Sequence, residues 1–210
     1  MGSAIIIFEF VILIFSAVFH EVAHGYEAER LGDPTARNAG RLTLNPLKHL
    51  DLFGSFIMPL LLYIGSGGAF FFAAAKPVPY DPRNLKNPRS GSARIALAGP
   101  LTNLSVALGC GILIRILSQV AASDPIISLL ALVVYINILL GIFNLVPIPP
   151  LDGSRVLFAL LPPSQSTYKA MYFLERWGLV FVLVFVFFGF QLIMPIISFL
   201  FLLFTGHSFG

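Results

Sequence analysis

Charge is what this sequence has least of. Only 11% of its 210 residues are Asp, Glu, Lys or Arg, against 57% apolar. A soluble globular domain carries about a quarter charged residues, so that class is excluded. Cysteine is nearly missing as well. Cys110 stands alone, which excludes an internal disulfide and predicts a small residue packed within a helix. The basic excess, 13 residues against 10, is too slight and too dispersed to hold nucleic acid, and reads instead as orientation by basic loops. The opening Met1-Gly2-Ser3 has no basic n-region, so the first apolar run is expected to stay in place as a signal anchor.

Long apolar runs are what the sequence does have. Four of them, 4–28, 93–120, 126–146 and 177–204, reach the roughly 20 residues a bilayer-crossing helix requires. Near the end of the first stand His20-Glu21-Val22-Ala23-His24. On a helix, residues four apart share a face one turn apart, so both imidazoles can reach one tetrahedral zinc with Glu21 beside it as a general base. Ionisable groups in a membrane span are costly and usually functional, which favours a metal over two core histidines spaced by chance. Such a zinc needs at least one more protein ligand and keeps a position for water. Asp152 qualifies by position. It follows Pro147-Ile148-Pro149-Pro150-Leu151, where prolines forbid regular helix and leave irregular backbone at the membrane rim. As an Asp-Gly ahead of Ser154-Arg155-Val156 it fits a turn and helix N-cap equally well, and position alone leaves both open.

The segment 52–75 carries Gly54, Pro59 and Gly65-Ser66-Gly67-Gly68, punctuation that disfavours a straight spanning helix. If it enters and leaves on one side, 93–120 and 126–146 form an up-and-down pair and Asp152 emerges on the histidines' side. We therefore expect a short re-entrant or interfacial helix over 52–64 and an extended segment over 69–78, half of a β hairpin. Arg30, Arg37, Arg41, Lys48, Lys76, Arg83, Lys86, Arg89 and Arg94 all fall between the first span and the next, while the link around Ser123-Asp124 carries no basic residue. Basic loops stay inside, so the N-terminus faces out and the site opens toward the cytosol. The expected fold is an all-α polytopic membrane protein of about four transmembrane helices, with a re-entrant or interfacial segment bearing a short β element. It forms one integral-membrane domain over 1–210, its core about 4–163.

Other polar residues lie inside the runs. Glu9 shares a helical face with His20, and Arg115 lies at about its depth; a structural ion pair or snorkelling is expected of them. Asn137 and Asn144 share a face of the third run, and Asn103 follows Gly99-Pro100 in the second. Amides between membrane helices are usually packing contacts. Asn103 and Asn144 lie toward the histidines, where an amide can also donate to an oxyanion or hold a substrate backbone. His49 is expected as an interfacial side chain.

Together these residues resemble the site-2 protease family of intramembrane zinc metalloproteases, in the compact prokaryotic form without PDZ or CBS domains. The resemblance rests on His20-Glu21-Val22-Ala23-His24 and on Asn144-Leu145-Val146-Pro147-Ile148-Pro149-Pro150-Leu151-Asp152-Gly153. It extends through Gly32-Asp33-Pro34-Thr35-Ala36, Gly40-Arg41-Leu42-Thr43-Leu44-Asn45-Pro46, Lys76-Pro77-Val78-Pro79 and Gly99-Pro100-Leu101-Thr102-Asn103, covering roughly 15–163. It implies that His20, His24 and Asp152 bind one zinc ion, that Glu21 is the catalytic acid/base, and that Asn144 and Asn103 position substrate or stabilise the oxyanion. It further implies an endopeptidase in a prokaryotic plasma membrane, cutting transmembrane protein or peptide substrates. The alternative is a membrane protein that binds or transports zinc without hydrolysis.

Overall fold

In the computed structural model, which describes residues 2–49, 57, 64, 76–120 and 125–208, the first apolar run is a single helix, α1 (Gly2–Arg30). It stops at Gly32, whose φ of 103° lies in the left-handed region that glycine alone enters freely. There Asp33 N–H donates to Ala28 O at 3.0 Å and Gly32 N–H to Glu29 O at 2.9 Å, satisfying the last helical carbonyls. One short turn, α2 (Thr35–Asn38), follows.

Asn87 caps the next helix, α3 (Pro88–Leu117), its side chain accepting from Ser90 N–H. This helix packs against α1 and, on its other side, against α4 (Pro125–Asn144). Arg94 of α3 donates to Glu27 of α1 at 2.8 Å, pinning the two together at the rim. Past the proline-rich turn come a short helix, α5 (Asp152–Leu160), and then α6 (Gln165–Val184), capped by Ser164. A π turn over Phe185–Gly189 and a 3-10 turn over Phe190–Leu192 separate α6 from α7 (Met194–Thr205). The main apolar core lies between α3, α4 and this broken last passage, around Ile114, Val134, Ile138, Val182, Ile197 and Phe201.

Among the described residues, four helices are long and apolar enough to cross a membrane, covering Ile7–Arg30, Pro88–Leu117, Pro125–Asn144 and Gln165–Leu192. The fourth differs from the expected 177–204 at its start, because residues 165–176 are helical while being polar. Its interruption falls around Gly189 and Pro195, and the chain runs along the bundle without doubling back. Gly178 lies against the Pro149 carbonyl near the histidines, whereas Phe204 lies against Gly111, further along α3 toward its C-terminal end.

No β strand occurs among the described residues. The expected re-entrant helix, and most of the extended segment over 69–78, lie outside them. Residues 76–80 are described and form neither helix nor strand. Lys76 N–H donates to His49 O at 2.8 Å, so the described chain on either side of the 50–75 stretch meets at one side of the bundle.

Two single residues find partners within the protein. His49 is fully buried, and its Nε2 meets the Thr43 carbonyl at 2.8 Å. Arg115 makes no ion pair with Glu9. Its guanidinium donates to Phe204 O at 2.9 Å and Leu203 O at 2.6 Å, closing the C-terminal end of α7, where a cation also suits the helix dipole.

Candidate metal centre

His20 and His24 face inward from one side of α1, as their spacing predicts. Their rings meet edge to face with centroids 4.6 Å apart, and both are buried. Asp152, distant in sequence, arrives between them. Its Oδ2 lies 3.0 Å from His20 Nε2 and 3.2 Å from His24 Nε2. The three residues offer ligand atoms all within 4.8 Å of one another. Asp152 opens α5 but makes no capping bond, so of the two readings its position allowed, the side chain follows the one that faces the imidazoles. Burial alone would raise its carboxyl pKa. Hydrogen bonds and attraction from the two imidazoles outweigh that and hold it well below the usual carboxylate range, so the group stays an anion.

Hydrogen bonds behind the rings decide which nitrogens point forward. His24 Nδ1 meets Ile95 O at 2.6 Å; a carbonyl only accepts, so Nδ1 carries a proton, and in the neutral ring it is Nε2 that presents a lone pair. His20 Nδ1 meets Asn103 Oδ1 at 2.6 Å. The amide cannot be turned the other way, because its Nδ2 donates to Ser16 O at 3.1 Å and to Asn137 Oδ1 at 3.0 Å. Asn137 in turn donates to Ser16 Oγ at 2.9 Å and to Val133 O at 2.9 Å. Each Nε2 can share a proton with Asp152 or, without one, offer a lone pair beside the carboxylate; in the second state the three atoms are a donor set that fits a divalent cation such as zinc.

Close packing holds α3 at this distance. A Cβ on Gly99 would stand 2.6 Å from ring atoms of both His20 and His24, so a larger residue would displace the imidazoles. One on Gly153 would stand 2.1 Å from Leu145 O, which is why glycine follows Asp152.

Glu21, half-buried, lies beside the trio. Its Oε2 accepts from Val78 N–H at 2.8 Å, so the extended residues after Lys76 are fastened to the glutamate itself. A cavity of about 530 Å³ opens here, lined by His20, Glu21, His24, Val78, Asn144 and Asp152 among others. Asn144 thus faces the cavity while its Nδ2 donates to Leu140 O at 2.9 Å. Asn103 does not line it; it is wholly buried behind His20.

Several residues with a part in this arrangement carry no signal of their own. Ser16 is one small hydroxyl in an apolar run. Asn137, expected as a packing contact, joins Asn103 to it. Asp33 was quoted only as part of a motif, yet it is a buried hub. It accepts from Thr35 N–H at 3.1 Å, Asn84 Nδ2 at 2.7 Å and Asp81 N–H at 2.7 Å, and so ties the end of α1 to the loop before α3.

Residues 110–185 match the family described as Peptidase family M50. Over 181 residues the chain is 38% identical to "Putative zinc metalloprotease YwhC" of Bacillus subtilis, an alignment covering 83% of this chain and 78% of that protein. It is 33% identical to "Putative zinc metalloprotease Rip2" of Mycolicibacterium smegmatis, over 81% of this chain and 63% of the relative. It is 28% identical to "Zinc metalloprotease MJ0392" of Methanocaldococcus jannaschii, over 86% of this chain but only 42% of that longer protein. No solved structure matches the chain.

Proposed function

Because the chain belongs to peptidase family M50, the zinc metalloproteases of site-2 type, we propose that it is an intramembrane endopeptidase that hydrolyses peptide bonds in or near membrane-spanning segments. His20, His24 and Asp152 would hold one zinc ion. When bound, zinc supplies a Lewis acid that polarises a carbonyl and makes water a usable nucleophile at neutral pH. The observation that carries this reading is the meeting of those three side chains with Glu21 on one cavity, at the end of a membrane helix.

Each residue's part follows from its surroundings. Val78 N–H occupies Oε2 of Glu21, which fixes the carboxylate and leaves Oε1 to take the proton of the attacking water and pass it to the leaving amine. Asn144, on the cavity wall, holds the substrate backbone. Asn103 acts through His20, keeping its Nδ1 protonated and its Nε2 aimed forward. A substrate helix hides its carbonyls in its own hydrogen bonds, so it unwinds locally before the scissile carbonyl can reach the site. The basic residues between α1 and α3 support a cytosolic orientation for this end of the bundle.

Glu21→Ala tests the reading directly. In detergent, the wild type should release a fragment from a single-span substrate and contain one zinc per chain. The variant should keep the metal and lose cleavage by at least about 100-fold, the scale of a lost general base. A variant that cleaves as well as the wild type would remove Glu21 from the chemistry. A wild type that binds zinc and cleaves nothing would make the chain a zinc binder.

A further inference from the structure

A second cavity, of about 780 Å³, adjoins the first. Its walls are the outer face of α5 and the polar first half of α6, and the two cavities share Tyr80, Pro150, Arg155 and Leu179. Arg155 therefore stands on the threshold between them, one helical turn after Asp152.

The state of that guanidinium is unusual in this molecule. Arg30, Arg37, Arg83 and Arg94 each meet a carboxylate, and Arg41, Arg89 and Arg115 each donate to backbone carbonyls. Arg155 does neither among the described residues, a state it shares only with Arg176, which is exposed and lines neither cavity. Its guanidinium carbon lies 5.2 Å from the centre of the Tyr80 ring, an aromatic face that orients the cation without neutralising it. The second cavity also holds Arg89, fixed by its bond to Phe158 O at 3.0 Å, against one carboxylate, Glu175. Within the second cavity two guanidiniums therefore stand against one carboxylate, and its balance of charge is positive.

A peptide held with its scissile carbonyl beside Glu21 has to leave the first cavity, and one way out runs past Arg155. From this we infer that Arg155 is a specificity residue, and that the second cavity takes the stretch of substrate flanking the scissile bond, selecting an acidic side chain there. The inference rests on the protease reading and adds the chemistry of the substrate to it. A guanidinium that reaches a carboxylate by paired N–H donors discriminates against a lysine at the same place both by losing the bond and by adding repulsion.

The test uses the full chain with its zinc and a single-span substrate that the wild type cleaves. Asp, Asn and Lys are placed in turn at each position flanking the cut. At one position KM should rise in the order Asp, Asn, Lys, with a spread of about five- to tenfold for a partly exposed pair and kcat nearly constant. Arg155→Glu should invert that order, and Arg155→Gln should flatten it. Should the glutamate variant fail to fold, Arg155→Gln with Arg155→Lys decides alone, since lysine retains the sign of the preference. Wild-type cleavage that is blind to charge at every position overturns the inference and leaves the protease reading standing. So does a preference for Asp that survives in Arg155→Glu or Arg155→Gln. A dependence on anionic lipid without any dependence on substrate charge would likewise overturn it. A chain that cleaves no substrate at all sinks the protease reading and this inference with it.

Discussion

Asn103 makes three hydrogen bonds, and together they determine which nitrogen of His20 faces Asp152. Asn103→Ala removes the acceptor behind the imidazole and leaves the ring free to turn or change tautomer. Zinc affinity, read by competition with a chelator, should fall about 10- to 100-fold, the range for lost partners behind a ligand. Asn137, which touches no histidine, should give a smaller loss. The helical spacing of His20 and His24 was legible because four residues make about one turn in any α-helix. The partnership with Asp152 was only half legible: its place after the prolines and the side on which it emerges nominated it, a turn and N-cap fitted as well, and the resemblance decided between them. Whether Asn103 faces substrate or supports a ligand depends on burial, which a lone amide in an apolar run does not disclose.

At the scale of elements, the apolar runs gave α1, α3 and α4 almost as they stand. The start of α6 was missed because Gln165–Arg176 is helical by capping and propensity while lacking the hydropathy that marks a span. The loops were least legible of all, and Asp33 shows why: its partners lie about fifty residues away. Burial opposes ionisation of this carboxyl, but the donors from Thr35, Asn84 and Asp81 outweigh it and hold its pKa below the ordinary value of 3.8. The sign of the linkage follows. A depressed folded value means the stabilisation is fully present above the unfolded pKa and disappears as pH falls through the folded one. Asp33→Asn should therefore lower the thermal midpoint at pH 7, by an amount equivalent to about 1–3 kcal/mol for a disrupted buried network. The gap to wild type should close as the melts are repeated below about pH 4. A gap that stays constant with pH would assign the loss to geometry and not to charge.

For the whole molecule, the placement of charge and the course of the last passage set a topology that can be checked. If the loops between α1 and α3 lie in the cytosol, α7 ends on the opposite side, because Phe204 sits far along α3 from the histidines. With Cys110 replaced by Ala, an impermeant maleimide applied to intact cells should label Ser208→Cys and leave Asn38→Cys unlabelled until the membrane is opened. The reverse pattern would turn the site outward. One consequence of the buried chain through Ser16, Asn103 and Asn137 concerns how the protein is made. These three residues come from α1, α3 and α4, which leave the ribosome one after another, and each polar group faces lipid until its neighbours arrive. Asn103 already meets His20 and Ser16 O when α3 packs on α1, and the arrival of α4 supplies Asn137, which completes the set. The imidazole of His20 is thus fixed from behind before Asp152, made later in the chain, arrives in front of it.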